Sequence, residues 1–217
     1  MIRLVAVNAG LGEPSSTRML TDRLSAAVTA ALGADRVATT TIDLRDLAVD
    51  LGRSMAAGFA SGAARAAVDT VGDADALIVA TPVFNASYSG LFKSFFDLVD
   101  VDAMTGKPVL IAATGGSPRH SLVLDHALRP LFGYLRTVAV PTGVYAAAED
   151  WAGGSGDTAS LGDRIGRAAR ELAALLDVGA QRRATPRAEP AGPGRNAISD
   201  AESAGIANFA RLLGGVG

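Results

Sequence analysis

Any chemistry in this chain has to come from something other than a thiol, because its 217 residues include no cysteine. That excludes a thiol nucleophile, a disulfide, a zinc–thiolate site and an iron–sulfur cluster. His120 and His126 are too few for a multi-histidine metal site. Three segments stand out as candidate ligand loops: NAGLGEPSSTR (8–18), TPVFNASYSG (81–90) and TGGSPRHS (114–121). All three are rich in Gly, Ser, Thr or Pro, and Glu13 is their single acidic residue.

The first segment delivers Ser15, Ser16 and Thr17 to the start of a helix and places Arg18 in its first turn. Helix N-termini carry partial positive charge, so an arginine there is unfavourable unless an anion is bound. Free amides, hydroxyls and one guanidinium describe a phosphate cradle. The same residues also fit an ordinary Ser/Thr N-cap with a solvated arginine. The segment has neither the GK[ST] of a P-loop nor a GxGxxG spacing, which demotes both nucleotide-binding motifs. In the second segment, Thr81, Pro82, Val83, Phe84 and Asn85 present a rigid apolar edge flanked by amides. In the third, Thr114, Gly115, Gly116 and Ser117 expose backbone with little to block a flat ligand. Each has a plain reading as a common turn or strand exit; together they make a slot for a planar ring beside a phosphate site.

Those segments need a scaffold, and the hydrophobic pattern supplies one. Residues 2–7, 37–43, 76–80, 108–113 and 137–144 read as strands. Residues 17–32, 56–71, 91–99, a stretch ending near 132, and 160–176 carry helical spacing. The strands are apolar on both faces and alternate with helices, which predicts an α/β domain with a parallel sheet covered on both sides. In such sheets ligands bind beyond the carboxyl ends of the strands, where the three segments fall. His126 reads as structural, Asp97, Asp100 and Asp102 as a helix end and turn, and Trp151 as packing.

Charges of +20 and −22 leave a net −2, which points to neither a nucleic-acid clamp nor a membrane anchor. No uncharged apolar run approaches the ~18 residues of a membrane span. The opening residues lack the pattern of a secretory leader, so a cytoplasmic protein is expected. Composition changes near Gly179, where arginine, proline and glycine crowd together. The expected organisation is a domain over 1–178, a flexible linker over 179–196 and an amphipathic helix over 197–217.

The segments GEPSSTR (12–18), ATPVFNASYSGLFK (80–93) and TGGSPRHSL (114–122) resemble the NADPH-dependent FMN reductases of the flavodoxin-like superfamily. The likeness is greatest to reductases that feed two-component flavin monooxygenases of the alkanesulfonate type, and it runs over about 2–176. It implies a flavodoxin-like three-layer sandwich with a five-stranded parallel sheet in the order 2-1-3-4-5. It also implies FMN phosphate on Ser15, Ser16, Thr17 and Arg18, with the flavin ring between Pro82, Val83, Phe84 and Asn85 on one side and Thr114, Gly115, Gly116 and Ser117 on the other. Arg119 is then placed for an NADPH phosphate contact and His120 for lining the pocket, against the plainer readings of a solvated arginine and a capping histidine. By the same likeness Tyr88 occupies the position of a π-helical bulge at an oligomer interface, or is simply a packed tyrosine.

The implied activity is NAD(P)H:FMN oxidoreduction with FMN and NADPH as cofactors. The implied partners are a flavin-dependent monooxygenase and further copies of the chain, as a homodimer or homotetramer. Flavin carries hydride chemistry itself, so no catalytic side chain and no metal is expected. Two alternatives use the same cradle: a reductase that retains FMN and reduces quinones or azo compounds, and a flavodoxin-like electron carrier. The near-neutral charge weighs against the carrier, since carriers that dock by charge show a strongly acidic face.

Overall fold

The computed structural model describes residues 1–151 and 160–184. Its elements are β1 (Ile2–Asn8), α1 (Ser16–Leu32), β2 (Val37–Asp43), α2 (Ala48–Ala57), α3 (Gly62–Gly72), β3 (Ala76–Phe84), β4 (Ser87–Tyr88), α4 (Gly90–Phe96), α5 (Val101–Met104), β5 (Pro108–Gly115), α6 (Arg129–Tyr134), β6 (Val138–Ala139), β7 (Val144–Ala147), α7 (Ala148–Trp151) and α8 (Leu161–Ala184). Chain contacts separate a unit Met1–Gly179 from a unit Ala180–Gly217. The first unit contains the three segments.

The sheet runs β2-β1-β3-β5-β6, with β7 also pairing to β5 and β4 to β3. β6 and β7 both lie parallel to β5, at Pro108–Val109 and at Ala112–Gly115. They are two halves of one lane, so the flavodoxin-like five-lane order is the expected one. Alternate residues of each strand enter opposite cores. Val5, Val7, Leu77, Val79, Val109 and Ile111 pack with residues of α2, α3, α4 and α6. Leu4, Ala6, Ile78 and Leu110 pack with α1 and α8.

Several local expectations need correction. The helix expected over 56–71 begins only at Gly62, as α3; Ala56 and Ala57 instead end α2, a helix not expected, which Gly58 closes in a left-handed conformation (φ 79°) by donating to the Ser54 carbonyl. The strand expected over 76–80 continues to Phe84, since pairing with β5 persists through Pro82 opposite Thr114. The strand expected over 137–144 is broken after Ala139 and resumes at Val144; Pro141 lies in the gap and has no N–H to give a ladder. Tyr88 is not in a π turn but in β4, opposite Val83 in a short antiparallel hairpin. The π turn is at Leu124–Leu128, where the Arg129 amide reaches the Leu124 carbonyl. Pro130 follows it; its ring would crowd the carbonyl four residues back, and widening the turn relieves that. The last helix starts at a reciprocal cap, Ser160 Oγ accepting from the Asp163 amide and Asp163 accepting from Ser160. It runs to Ala184, beyond the expected 176. The rest of the expected linker and the helix over 197–217 lie outside the described residues.

Candidate functional site

The parallel lanes bring the ends of β1, β3, β5 and β7 to one edge. Asn8 stands opposite Asp43 and Ala80, Pro82 opposite Thr114, and Gly115 opposite Ala147. The three segments therefore adjoin at that edge.

The first loop is tied to its surroundings by several hydrogen bonds. Ser15 caps α1, its Oγ accepting from the Arg18 amide at 3.2 Å. Asn8 Oδ1 accepts from the Gly10 amide at 3.0 Å, and Asn8 Nδ2 donates to Asp43 at 2.8 Å. Gly10 leaves room for the cap: a Cβ there would lie 2.0 Å from Ser15 Oγ and force that side chain to move. A cavity of about 380 Å³ opens beside the loop, lined among others by Asn8, Ser15, Arg18, Asp43 and Arg45.

Within the expected phosphate group the residues divide. Ser15 is half-buried and Ser16 exposed, and no acidic residue lies in the first turn of α1. The first amides of a helix have no carbonyl four residues back, so Ser16 and Thr17 offer N–H groups at the positive end of the dipole. The Thr17 side chain instead turns inward, 2.7 Å from the Thr114 hydroxyl, and couples the first loop to β5. Arg18 donates to Asp22 at 2.9 Å and also pairs with Asp43. Its charge is divided between two carboxylates, so an anion there gains mainly from amides, the Ser15 and Ser16 hydroxyls and the guanidinium's remaining N–H groups.

The second segment forms the hairpin. Asn85 and Ala86, at φ 48° and 64°, make its two-residue turn, the twist such hairpins require. Thr81 Oγ accepts from the Ser89 amide at 3.0 Å and pins the returning arm. Phe84 is 47% exposed, a large apolar ring left at the carboxyl edge, while Pro82 and Val83 are partly covered.

The two glycines of the third segment do different things. A Cβ on Gly115 would stand 2.1 Å from the Tyr145 hydroxyl, whereas one on Gly116 would meet nothing within 4 Å. Gly115 makes room for Tyr145, and Gly116 is the position that leaves a face open. Ser117 Oγ caps the following turn, accepting from the Arg119 amide at 3.3 Å. Arg119 and His120 are exposed just beyond it. His126, expected to be structural, is exposed in the π turn. Asp97 and Asp100 cap α4 and α5, Asp102 opens α5, and among the described residues no cluster of metal-ligating groups occurs. Trp151 packs on the α1–α8 side of the sheet, with the Arg23 guanidinium 5.0 Å from its ring centre.

Asn8, Asp43 and Tyr145 are the site-edge residues that sequence reasoning passed over. The first had a signal, a lone amide closing the apolar run 2–7. The other two had none, since their partners are distant in sequence.

The family of NADPH-dependent FMN reductases matches residues 2–152. The chain belongs to that family. It is 44% identical over 149 residues to an FMN reductase (NADPH) of Pseudomonas aeruginosa, covering 69% of this chain and 78% of the relative. An NADH-dependent FMN reductase, SfnF, of Pseudomonas fluorescens is 41% identical over 175 residues, covering 81% and 92%. An oxidoreductase structure from Corynebacterium diphtheriae superposes with a TM-score of 0.76 at 50% identity, over 82% of this chain and 98% of that one. The apo form of an NADH:FMN oxidoreductase gives 0.72 at 28% identity, over 91% and 99%.

This FMN reductase family member has an edge that suits a phosphorylated planar ring. The open Gly116 backbone and the exposed Phe84 suit a flat apolar body. The α1 N-terminus, without an acid in its first turn, suits a phosphate.

Proposed function

We propose that this FMN reductase takes hydride from a reduced pyridine nucleotide and releases reduced FMN to a partner flavin-dependent monooxygenase. The observation that carries the reading is the family match over 2–152 combined with the adjoining of the three segments at one sheet edge. FMN, when bound, supplies the hydride-accepting chemistry itself.

The chain's own residues bind, orient and shield. The amides of Ser16 and Thr17 and the hydroxyls of Ser15 and Ser16 hold the phosphate, with Arg18 adding charge. Pro82, Val83, Phe84 and Asn85 form one wall for the ring, and Thr114, Gly115, Gly116 and Ser117 the other. Arg119 offers a guanidinium to the nucleotide's phosphates and His120 borders the pocket. Walls without an ionised side chain suit hydride transfer, which needs alignment and exclusion of water more than acid–base help. The proposal includes a homodimer or homotetramer working in the cytoplasm. The SfnF and SfnE names of its relatives, which are NADH-dependent, make either NADH or NADPH an admissible donor.

The test is a turnover assay with purified protein, NADPH or NADH, and varied FMN. Saturable nucleotide oxidation in free FMN, without another acceptor, supports the flavin-supplying role. Turnover only with an added quinone or azo dye supports retained FMN instead, and no oxidation under either condition rejects a reductase. Arg18→Ala should weaken FMN more than riboflavin, because riboflavin lacks the phosphate; equal weakening removes Arg18 from that role.

A further inference from the structure

The Tyr145 ring lies beneath the third segment, and no role in the reaction has been given to it. Tyr145 is on β7 opposite Ala113, so its side chain shares a sheet face with Ala113 and, two residues on, Gly115. The ring is almost fully buried, at 4% exposure. Its hydroxyl donates to the Ser117 carbonyl at 2.7 Å. It gets there by passing where a Gly115 side chain would be, within 2.1 Å of that missing Cβ. The backbone behind the ring is held as well. Arg164 donates to the Tyr145 carbonyl and pairs with Asp150, and Asp150 accepts from the Ala147 amide at 2.8 Å.

We infer that Tyr145 is a positioning residue for the flavin site, its hydroxyl fixing the 114–117 wall through the Ser117 carbonyl, with Gly115 as the obligatory gap. This rests on the proposed FMN site. Tyr145 acts on the wall and not on the ligand, so it should matter for any molecule bearing the isoalloxazine ring and be indifferent to the phosphate. A neighbouring hydroxyl of the same kind, Thr17 against Thr114, ties the base of that wall to the first loop.

The test uses the full chain as Tyr145→Phe, Gly115→Ala and the two combined. Tyr145→Phe keeps the buried ring and removes only the hydrogen bond. It should raise the Kd for both FMN and riboflavin, read by flavin fluorescence, by a common factor of about five to ten, the equivalent of one lost hydrogen bond. KM for FMN should rise with it while kcat stays within about twofold, because binding lost equally from the ground state and the transition state has that signature. Gly115→Ala should melt lower and bind flavin worse than wild type, and adding Tyr145→Phe should restore part of the melting temperature by deleting the oxygen in the clash. Unchanged affinity for both flavins in Tyr145→Phe, whatever its melting temperature, overturns the assignment. So does a loss confined to FMN, or a double variant no better than Gly115→Ala. A wild-type protein that binds no FMN would instead overturn the proposed function, before any variant is compared.

Discussion

The loop after β1 is held by short bonds of its own together with Asp43, Arg45 and Thr114, whereas the Ser117 carbonyl after β5 rests on a single side chain 28 residues further along the chain. In the first, Asn8 accepts from Gly10 and Ser15 from Arg18, and Asp43 on the neighbouring strand takes bonds from both Asn8 and Arg18. In the second, Tyr145 supports the Ser117 carbonyl from below. Both loops use a glycine for space, but what would fill the space differs. At Gly10 it is foremost a serine hydroxyl, which can rotate; at Gly115 it is a buried aromatic ring held by its own network. The difference teaches that identical glycines carry unequal penalties, set by how far the opposing atom can yield.

Gly115→Ala is therefore expected to have the largest effect, about 3 kcal/mol off the unfolding free energy in a denaturant titration, the upper end for overpacking. Gly10→Ala should lose about 1–2 kcal/mol, since Ser15 must swing away and give up its cap. A Gly10 variant as damaging as the Gly115 one would erase the contrast. The hairpin between the loops offers a change of opposite sign. Ala86 sits at φ 64° in a turn that favours glycine at its second position, so Ala86→Gly should raise stability by about 1 kcal/mol. A lower melting temperature in that variant would show the turn is not strained.

A smaller effect is expected in the pH dependence of stability. Burial, then the charge of Asp150, pushes the Tyr145 hydroxyl above its usual 10.0. The folded protein then keeps a proton that the unfolded chain releases, so stability is full below pH 10 and falls as pH rises above it. Tyr145→Phe should flatten that decline relative to wild type; parallel curves would contradict the burial argument. Smallest of all, Gly116→Ala should change stability by less than about 0.5 kcal/mol, as for a substitution into open space. It should nonetheless weaken flavin binding, because the added methyl occupies the open face. An unaffected flavin Kd would move the ring elsewhere.

Much of the architecture was legible because its signals are local. Strand-length apolar runs separated by helical spacing specified the parallel sheet, and Ser15 ahead of Leu20 and Leu24 marked where α1 begins. Local reading erred where pairing overrode propensity. Proline argued for a turn at 82, yet parallel pairing carried β3 through it. The alanine-rich run at 56–71 suggested a helix from Ala56, yet Gly58 ends the preceding helix there and α3 starts only at Gly62. At the site, the sequence named segments well and roles unevenly. Thr17 and Arg18 stood in a plausible cradle, but one hydroxyl faces Thr114 and the guanidinium is shared by Asp22 and Asp43.

By itself, then, the sequence determined the kind of sheet, the three segments that meet at one edge of it and the absence of thiol chemistry, all of which follow from composition and short-range periodicity. Tertiary structure alone decided which groups at that edge are free and which are committed. Those commitments run from Thr17 to Thr114, from Arg18 to Asp43 and from Tyr145 to Ser117. A hydrogen bond between residues 25 to 97 apart leaves no periodic trace, because it depends on strand register and not on the spacing of neighbours.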